Sequence, residues 1–188
     1  MKSSVLSATV ALALTASGAI ASPIAIRDES YRDGDGHRVL SESVIVEGPS
    51  QSVWNAFTTD QGFMRWAVPV AHITPGNGGM MESALTPTGK IGEADNVRNR
   101  ILVYLPRQML VLASEHVPSG GPIDGDTFRA LRTIIAFKDL GPEQTQVTES
   151  VVGFGDSKAF DEMYAHLRGG NAEYLERLAQ SFARPATN

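Results

Sequence analysis

The segment SKAFDEMYAHLRGGNAEYLERLAQSF, residues 157–182, constrains the fold more than any other. Phe160, Met163, Tyr164, Leu167, Leu175, Leu178 and Phe182 recur at helical spacing, with lysine, aspartate, glutamate and arginine largely on the other side. One long amphipathic helix must bury that stripe, and everything between Arg38 and this segment reads mainly as strands. Its only partner of sufficient size is therefore a sheet. Asp156 or Ser157 can cap the helix, and Pro185 follows its end. Gly169 and Gly170 interrupt the pattern, each costing about 1 kcal/mol relative to alanine in a helix interior, which predicts a kink or a close backbone approach. Asn171 stands four residues from both Leu167 and Leu175, so an amide falls on the buried stripe.

The strands are legible from turn signals. RVLSESVIVE, from Arg38, is β-branched and alternating, and Gly48-Pro49-Ser50 ends it. Pro49 has a preset φ that suits the first turn of a helix, so SQSVWNAF starts one with Val53 and Phe57 on one face. Thr59 or Asp60 caps a second short helix, QGFMRW, closed by Pro69. These two helices hold both tryptophans of a chain with only 7% aromatic residues. VAHIT, MMESAL, NVRNRILVYL, QMLVLASE, FRALRTIIAFKDL and TQVTESVVGF then follow with turns or loops, and no helices, between them. Consecutive strands with short connections imply an antiparallel meander.

At the other end, MKSSVLSATVALALTASGAIAS has a positive start at Lys2, a short apolar run and the small-x-small site Ala19-Ile20-Ala21. It reads as a signal peptide over residues 1–21, too short to span a bilayer, and implies export to the periplasm or the medium. No later apolar stretch is long enough to cross a membrane. Residues 22–37 are polar, rich in glycine and aspartate and without periodicity, and read as a linker before a domain at 38–184. Asp33 and Asp35 resemble the start of a calcium loop, but the remaining ligands are missing and a solvated turn is the better reading.

Charge and residue usage exclude several functions. With 21 acidic against 16 basic residues, and no basic cluster, a nucleic-acid footprint is absent. The chain has 0 cysteines, which removes disulfides, thiolate metal sites and a cysteine nucleophile. His37, His72, His116 and His166 are scattered without metal-ligand spacing, so no metal and no cofactor is expected. GFGDSK leads into a helix but lacks the spacing of either nucleotide motif.

The order of elements resembles the helix-grip fold of the START, polyketide-cyclase and birch-pollen-allergen (SRPBCC) superfamily. It is most similar there to the activator of Hsp 90 ATPase homologue branch. VWNAFTT, MRWAVP, GNGG, LPRQMLVL, TIIAFKDLGPEQTQVTES and GGNAEYLERL carry the resemblance through their order and spacing, over Val39 to Phe182. It implies an α+β domain in which a curved antiparallel sheet wraps the C-terminal helix. A cavity between them, holding an apolar small molecule or lipid in many relatives, is walled in part by Phe63 and Trp66. Plain core packing is the alternative for both tryptophans. Chaperone activation is disfavoured, because an exported protein does not meet a cytosolic chaperone.

Glu149 occupies a position where such relatives usually carry an aliphatic residue. It shares a strand face with Thr145, Val147 and Val151, so if the valines face the helix, the carboxylate does too. Burial there requires a partner or a proton. Arg98 and Arg100, on one face with Leu102 and Tyr104, and Arg132 are candidate partners, forming with Asn171 a polar clamp for a ligand carboxylate or carbonyl. The competing reading puts these charges on the solvent side. His72 can point into the cavity near Trp66 as a base or a donor. Two functions follow: a non-catalytic carrier of a hydrophobic molecule, or a cyclase- or hydratase-type enzyme using His72 or Glu149 for proton transfer.

Overall fold

The computed structural model describes residues 24–118 and 124–183. Residues 1–21, read above as a signal peptide, and Pro185 lie outside the described residues, as does the middle of the loop before the fifth meander strand. No helix among the described residues is long and apolar enough to cross a membrane.

The first regular strand, β3 (Arg38–Val46), is preceded by two short ones, β1 (Arg27–Asp28) and β2 (Tyr31–Arg32), both antiparallel to it. Within the expected linker, residues 27–32 therefore need correcting: their backbone adds to the edge of β3, with Ser41 and the Ser30 hydroxyl also hydrogen-bonded. Short polar strands lack the periodicity by which longer ones are recognised.

Next come α1 (Ser50–Thr58) and α2 (Asp60–Met64). Pro49 is the N-cap of α1, and Thr59 caps α2 by accepting the Gly62 amide at 3.1 Å. Gly62 is required here, because a Cβ would sit 2.1 Å from the Asn55 carbonyl oxygen of α1. The Asp60 carboxylate accepts the Ile73 amide at 2.7 Å.

The meander runs β4 (Val70–Thr74), β5 (Met80–Ala84), β6 (Val97–Leu105), β7 (Met109–His116), β8 (Arg132–Gly141) and β9 (Gln144–Val152). All pairs are antiparallel and the order is β1-β3-β9-β8-β7-β6-β5-β4, with β2 also on β3. The strand expected from Phe128 begins instead at Arg132, because Gly125–Ala130 form a short helix, α3. Asp124 caps it, accepting the Thr127 amide at 2.9 Å.

The last helix, α4 (Lys158–Phe182), lies on the inner face of the sheet and is continuous through Gly169 and Gly170. The expected close approach does not explain the pair: a Cβ at either position meets nothing within 4 Å. Packing on the inner face divides into two apolar clusters. The larger joins Val44, Val46 and Val147 to Trp54, Phe57, Trp66 and Phe137, with Leu175 and Leu178 from α4. The smaller joins Leu40, Val151 and Phe154 to Met163 and Leu167. Burying a side chain of this kind stabilises by about 1.5–3 kcal/mol, so each cluster anchors its half of α4.

Candidate functional site

Between the two clusters the inner face turns polar. Glu42 follows Leu40 and precedes Val44 by the same two-residue step, and it lies directly opposite Glu149 in the β3–β9 register. Directly opposed residues in an antiparallel pair project to the same face. Asn171 of α4 divides the helix stripe at the same level, between Leu167 and Leu175. Glu42 is 3% exposed, and Glu149 and Asn171 are each 7% exposed. These residues form a polar belt across an otherwise apolar interior.

The belt borders a cavity of about 310 Å³ between α4 and the sheet. Phe57, Phe63, Met81, Leu112 and Ile135 supply apolar wall, and Asn99, Ser114, Thr133, Glu149, Asn171 and Tyr174 supply polar groups. Gly170 also borders it, so the absent side chain keeps the helix side open. Ser114 Oγ, Glu149 Oε2 and Asn171 Nδ2 are buried and have no hydrogen-bond partner, and so is Glu42 Oε2 behind them. An unsatisfied buried polar group costs about 1–3 kcal/mol, more when charged, so four in one region make a strong candidate for a binding site.

Burial, reinforced by repulsion from Glu42, pushes the Glu149 carboxyl up to about 8. Burial also raises Glu42, helped by Asp28 and opposed by Arg168. Arg168 itself is ion-paired with Asp28, joining α4 to the β1 segment. Burial and the neighbouring Glu149 carry the Tyr174 phenol well above its ordinary value, with Arg177 opposing. At neutral pH Glu149 is thus a protonated acid and Tyr174 a neutral hydroxyl.

Of the residues singled out from sequence, Phe63, Glu149 and Asn171 border the cavity. Trp66 stands one layer behind its wall: the indole donates to the Ala56 carbonyl at 2.9 Å and the ring packs on Phe57, Phe63 and Tyr174. Tyr104 faces inward but packs edge-on against Trp54 at 4.9 Å, in the larger cluster rather than the cavity lining.

The others are corrected. His72 is exposed between the buried Ala71 and Ile73, and its Nδ1 lies 3.1 Å from Asp60 on the outer face. Arg98 and Arg100 also point outward, where Glu82 and Glu115 pair with them. Arg132 donates to the Arg129 and Leu131 carbonyls. Arginines meet acids at the half-exposed outer face without the desolvation that the cavity would impose. Tyr104 parts company with the arginines because a bulge at Leu102 breaks the alternation: Ile101 pairs with Leu112, but Val103 pairs with Val111.

Glu42, Ser114 and Asn99 were not foreseen as site residues. Period-two counting marks the first two, since Glu42 shares parity with Leu40 and Val44, and Ser114 with Leu110 and Leu112. Asn99 needs the β5–β6 register, in which it faces Met81. Among the described residues no group of three or more histidines or carboxylates is placed to hold a metal ion.

The family model for activator of Hsp90 ATPase homolog 1-like protein matches residues 47–183. The chain belongs to this family. Solved structures share the helix-grip fold of the Hsp90 ATPase activator homologues at low sequence identity. CalU16 of Micromonospora echinospora aligns with a TM-score of 0.59 and 18% identity, over 77% of its length and 87% of this chain. The Mesorhizobium loti protein MLL2253 aligns at 0.59 and 15%, over 96% of its length and 77% of this chain. The Aha1 dimer of Colwellia psychrerythraea gives 0.55 and 14%, over 95% and 77%. No curated protein matches the chain in sequence.

Proposed function

We propose that this protein is an exported carrier or sequestering protein that holds a small amphipathic molecule beneath α4. The observation that carries the reading is the cavity of about 310 Å³ whose apolar wall is interrupted by three unpaired buried polar atoms, on Ser114, Glu149 and Asn171. That volume lies at the small end of the range of about 300–1,000 Å³ for ligand sites, which favours a short-chain or single-ring molecule over a two-chain lipid. The apolar wall takes its body, and the belt takes a hydrogen-bonding end. With Arg98 and Arg100 outside, no cation among the described residues that line the cavity is available to clamp a carboxylate ligand, so that part of the expected specificity is dropped.

Native mass spectrometry of the protein purified from its own compartment tests the reading. A bound mass below about that of a lipid, with a raised Tm for members of an aromatic and short-chain panel, is expected. Uniformly empty protein without a thermal shift would sink it. Cell fractionation, with the processed chain outside the cytoplasm, tests export.

One observation favours a second reading: Glu149 is a protonated acid at the cavity, the state in which a carboxyl serves as a general acid. Cyclase- or hydratase-type chemistry would then use Glu149 alone, since His72 is outside. Loss of turnover at unchanged affinity in Glu149→Gln distinguishes this from carriage.

A further inference from the structure

The two carboxyls of the belt are opposed to one another with no cation between them. Glu42 and Glu149 face each other in register, each nine-tenths or more buried, and each with an Oε2 that no group among the described residues satisfies. Around Glu149, β8 offers Ile135 in register and Thr133 at the cavity wall, and α4 offers Asn171 and Tyr174. The charged groups that act on Glu42 from outside the belt are Asp28 on β1 and Arg168 on α4, and these two neutralise each other. Asn171 Nδ2, on a different element, is a buried and unpaired donor at the same cavity, which a lone-pair acceptor satisfies and an ammonium does not.

A ligand can answer this arrangement in three ways. An anionic head finds no cation among the described lining residues and opposes ionisation of either carboxyl. A neutral hydroxyl satisfies single hydrogen bonds but leaves the opposed carboxyls as they were. A protonated amine can donate to Glu149 Oε2 once that carboxyl has given up its proton, its positive charge then offsets the repulsion from Glu42 that opposes ionisation, and its apolar body is left to the aromatic wall. In a low-dielectric interior the charge term outweighs a single neutral hydrogen bond. Resting on the carrier reading, we infer that the ligand is an organic cation, a primary or secondary amine on a compact apolar body, held with its ammonium at Glu149 and within the field of Glu42.

Binding in this form carries a proton signature. Burial holds Glu149 protonated at pH 7, so the incoming ammonium must displace that proton, which leaves to solvent as the carboxylate forms. Linkage then requires release of about one proton per ligand and affinity that rises by up to about tenfold per pH unit between pH 6 and 8.

The test is isothermal titration calorimetry of the full mature chain with phenylbutylamine and its neutral isostere phenylbutanol, in buffers of differing ionisation enthalpy. Expected are at least tenfold tighter binding of the amine at pH 8, proton release with the amine only, and loss of both the preference and the release in Glu149→Gln. Equal or tighter binding of the alcohol, or amine binding without proton release, overturns the cation assignment while leaving carriage intact. Failure of both probes, and of the wider panel, to bind overturns both. The proton release in the unmodified protein decides the matter even if the variant folds poorly.

Discussion

The sheet carries glutamates on both faces, and they are perturbed in opposite directions. On the outer face Glu82 accepts from the Asn96 side-chain amide at 2.6 Å and the Gly92 backbone amide at 2.7 Å, and it pairs with Arg98. The Asn96 hydrogen bond, then those of Gly92 and Arg98, hold its carboxyl below the usual range against a modest desolvation. On the inner face Glu149 has no such partners, and burial with repulsion from Glu42 carries it the other way. The partners around Glu82 are what a stable fold supplies for itself. Their absence around Glu149 is a standing penalty, and penalties of that kind collect where a fold serves a ligand rather than its own stability.

The widest separation between the two faces should appear in stability against pH. Glu149 has a folded value of about 8 against an ordinary 4.5, so its contribution is fully present below the unfolded value and is lost as pH rises through the folded one. Glu149→Gln removes that loss. Urea denaturation should therefore find the variant more stable than the parent by roughly 3–5 kcal/mol at pH 9, and by far less at pH 4. Glu82→Gln should behave oppositely, because a lowered carboxyl contributes above its unfolded value and loses that contribution in acid. Parallel curves for the two variants would erase the distinction between the faces.

A smaller effect is expected at the cavity rim. Gly170 borders the cavity and has open space at its Cβ position, so Gly170→Leu should lower the affinity for phenylbutanol and phenylbutylamine more than tenfold, read by the same calorimetry. Its Tm should not fall, since replacing glycine inside a helix gains about 1 kcal/mol. Unchanged affinity would move the binding site away from α4.

Least of all should happen on the outer face. Arg100→Ala and His72→Ala are each expected to cost under about 1 kcal/mol in chemical denaturation, as exposed pairs do, and to leave binding of both probes unaltered. A binding defect in either would mean that the outer face takes part after all.

These contrasts also mark what the chain discloses before its structure is known. Long alternating runs ended by Gly and Pro disclosed β3, the six meander strands and α4, because burial on one face imposes a strict period on them. The two N-terminal strands escaped notice, since strands of two polar residues carry no period, and α3 was concealed in a loop by its length. The site was half legible. Glu149 and Asn171 interrupt apolar stripes, and the same counting reaches Glu42 and Ser114. The arginines were misplaced for a different reason: both faces of β6 contain apolar residues, and the bulge at Leu102 shifts parity partway along the strand. Only the register with its neighbours reveals such a shift.

Both edges of the sheet are partly covered. The N-terminal pair β1 and β2 occupies the open side of β3, and at the far side Asp60 takes up the outward-facing amide of Ile73 in β4. An extra strand from another molecule would have to displace one or compete with the other, so growth of this sheet from chain to chain is opposed at both margins. For a carrier exported as proposed and waiting empty beyond the reach of cytosolic folding helpers, that cover works against fibrous self-association.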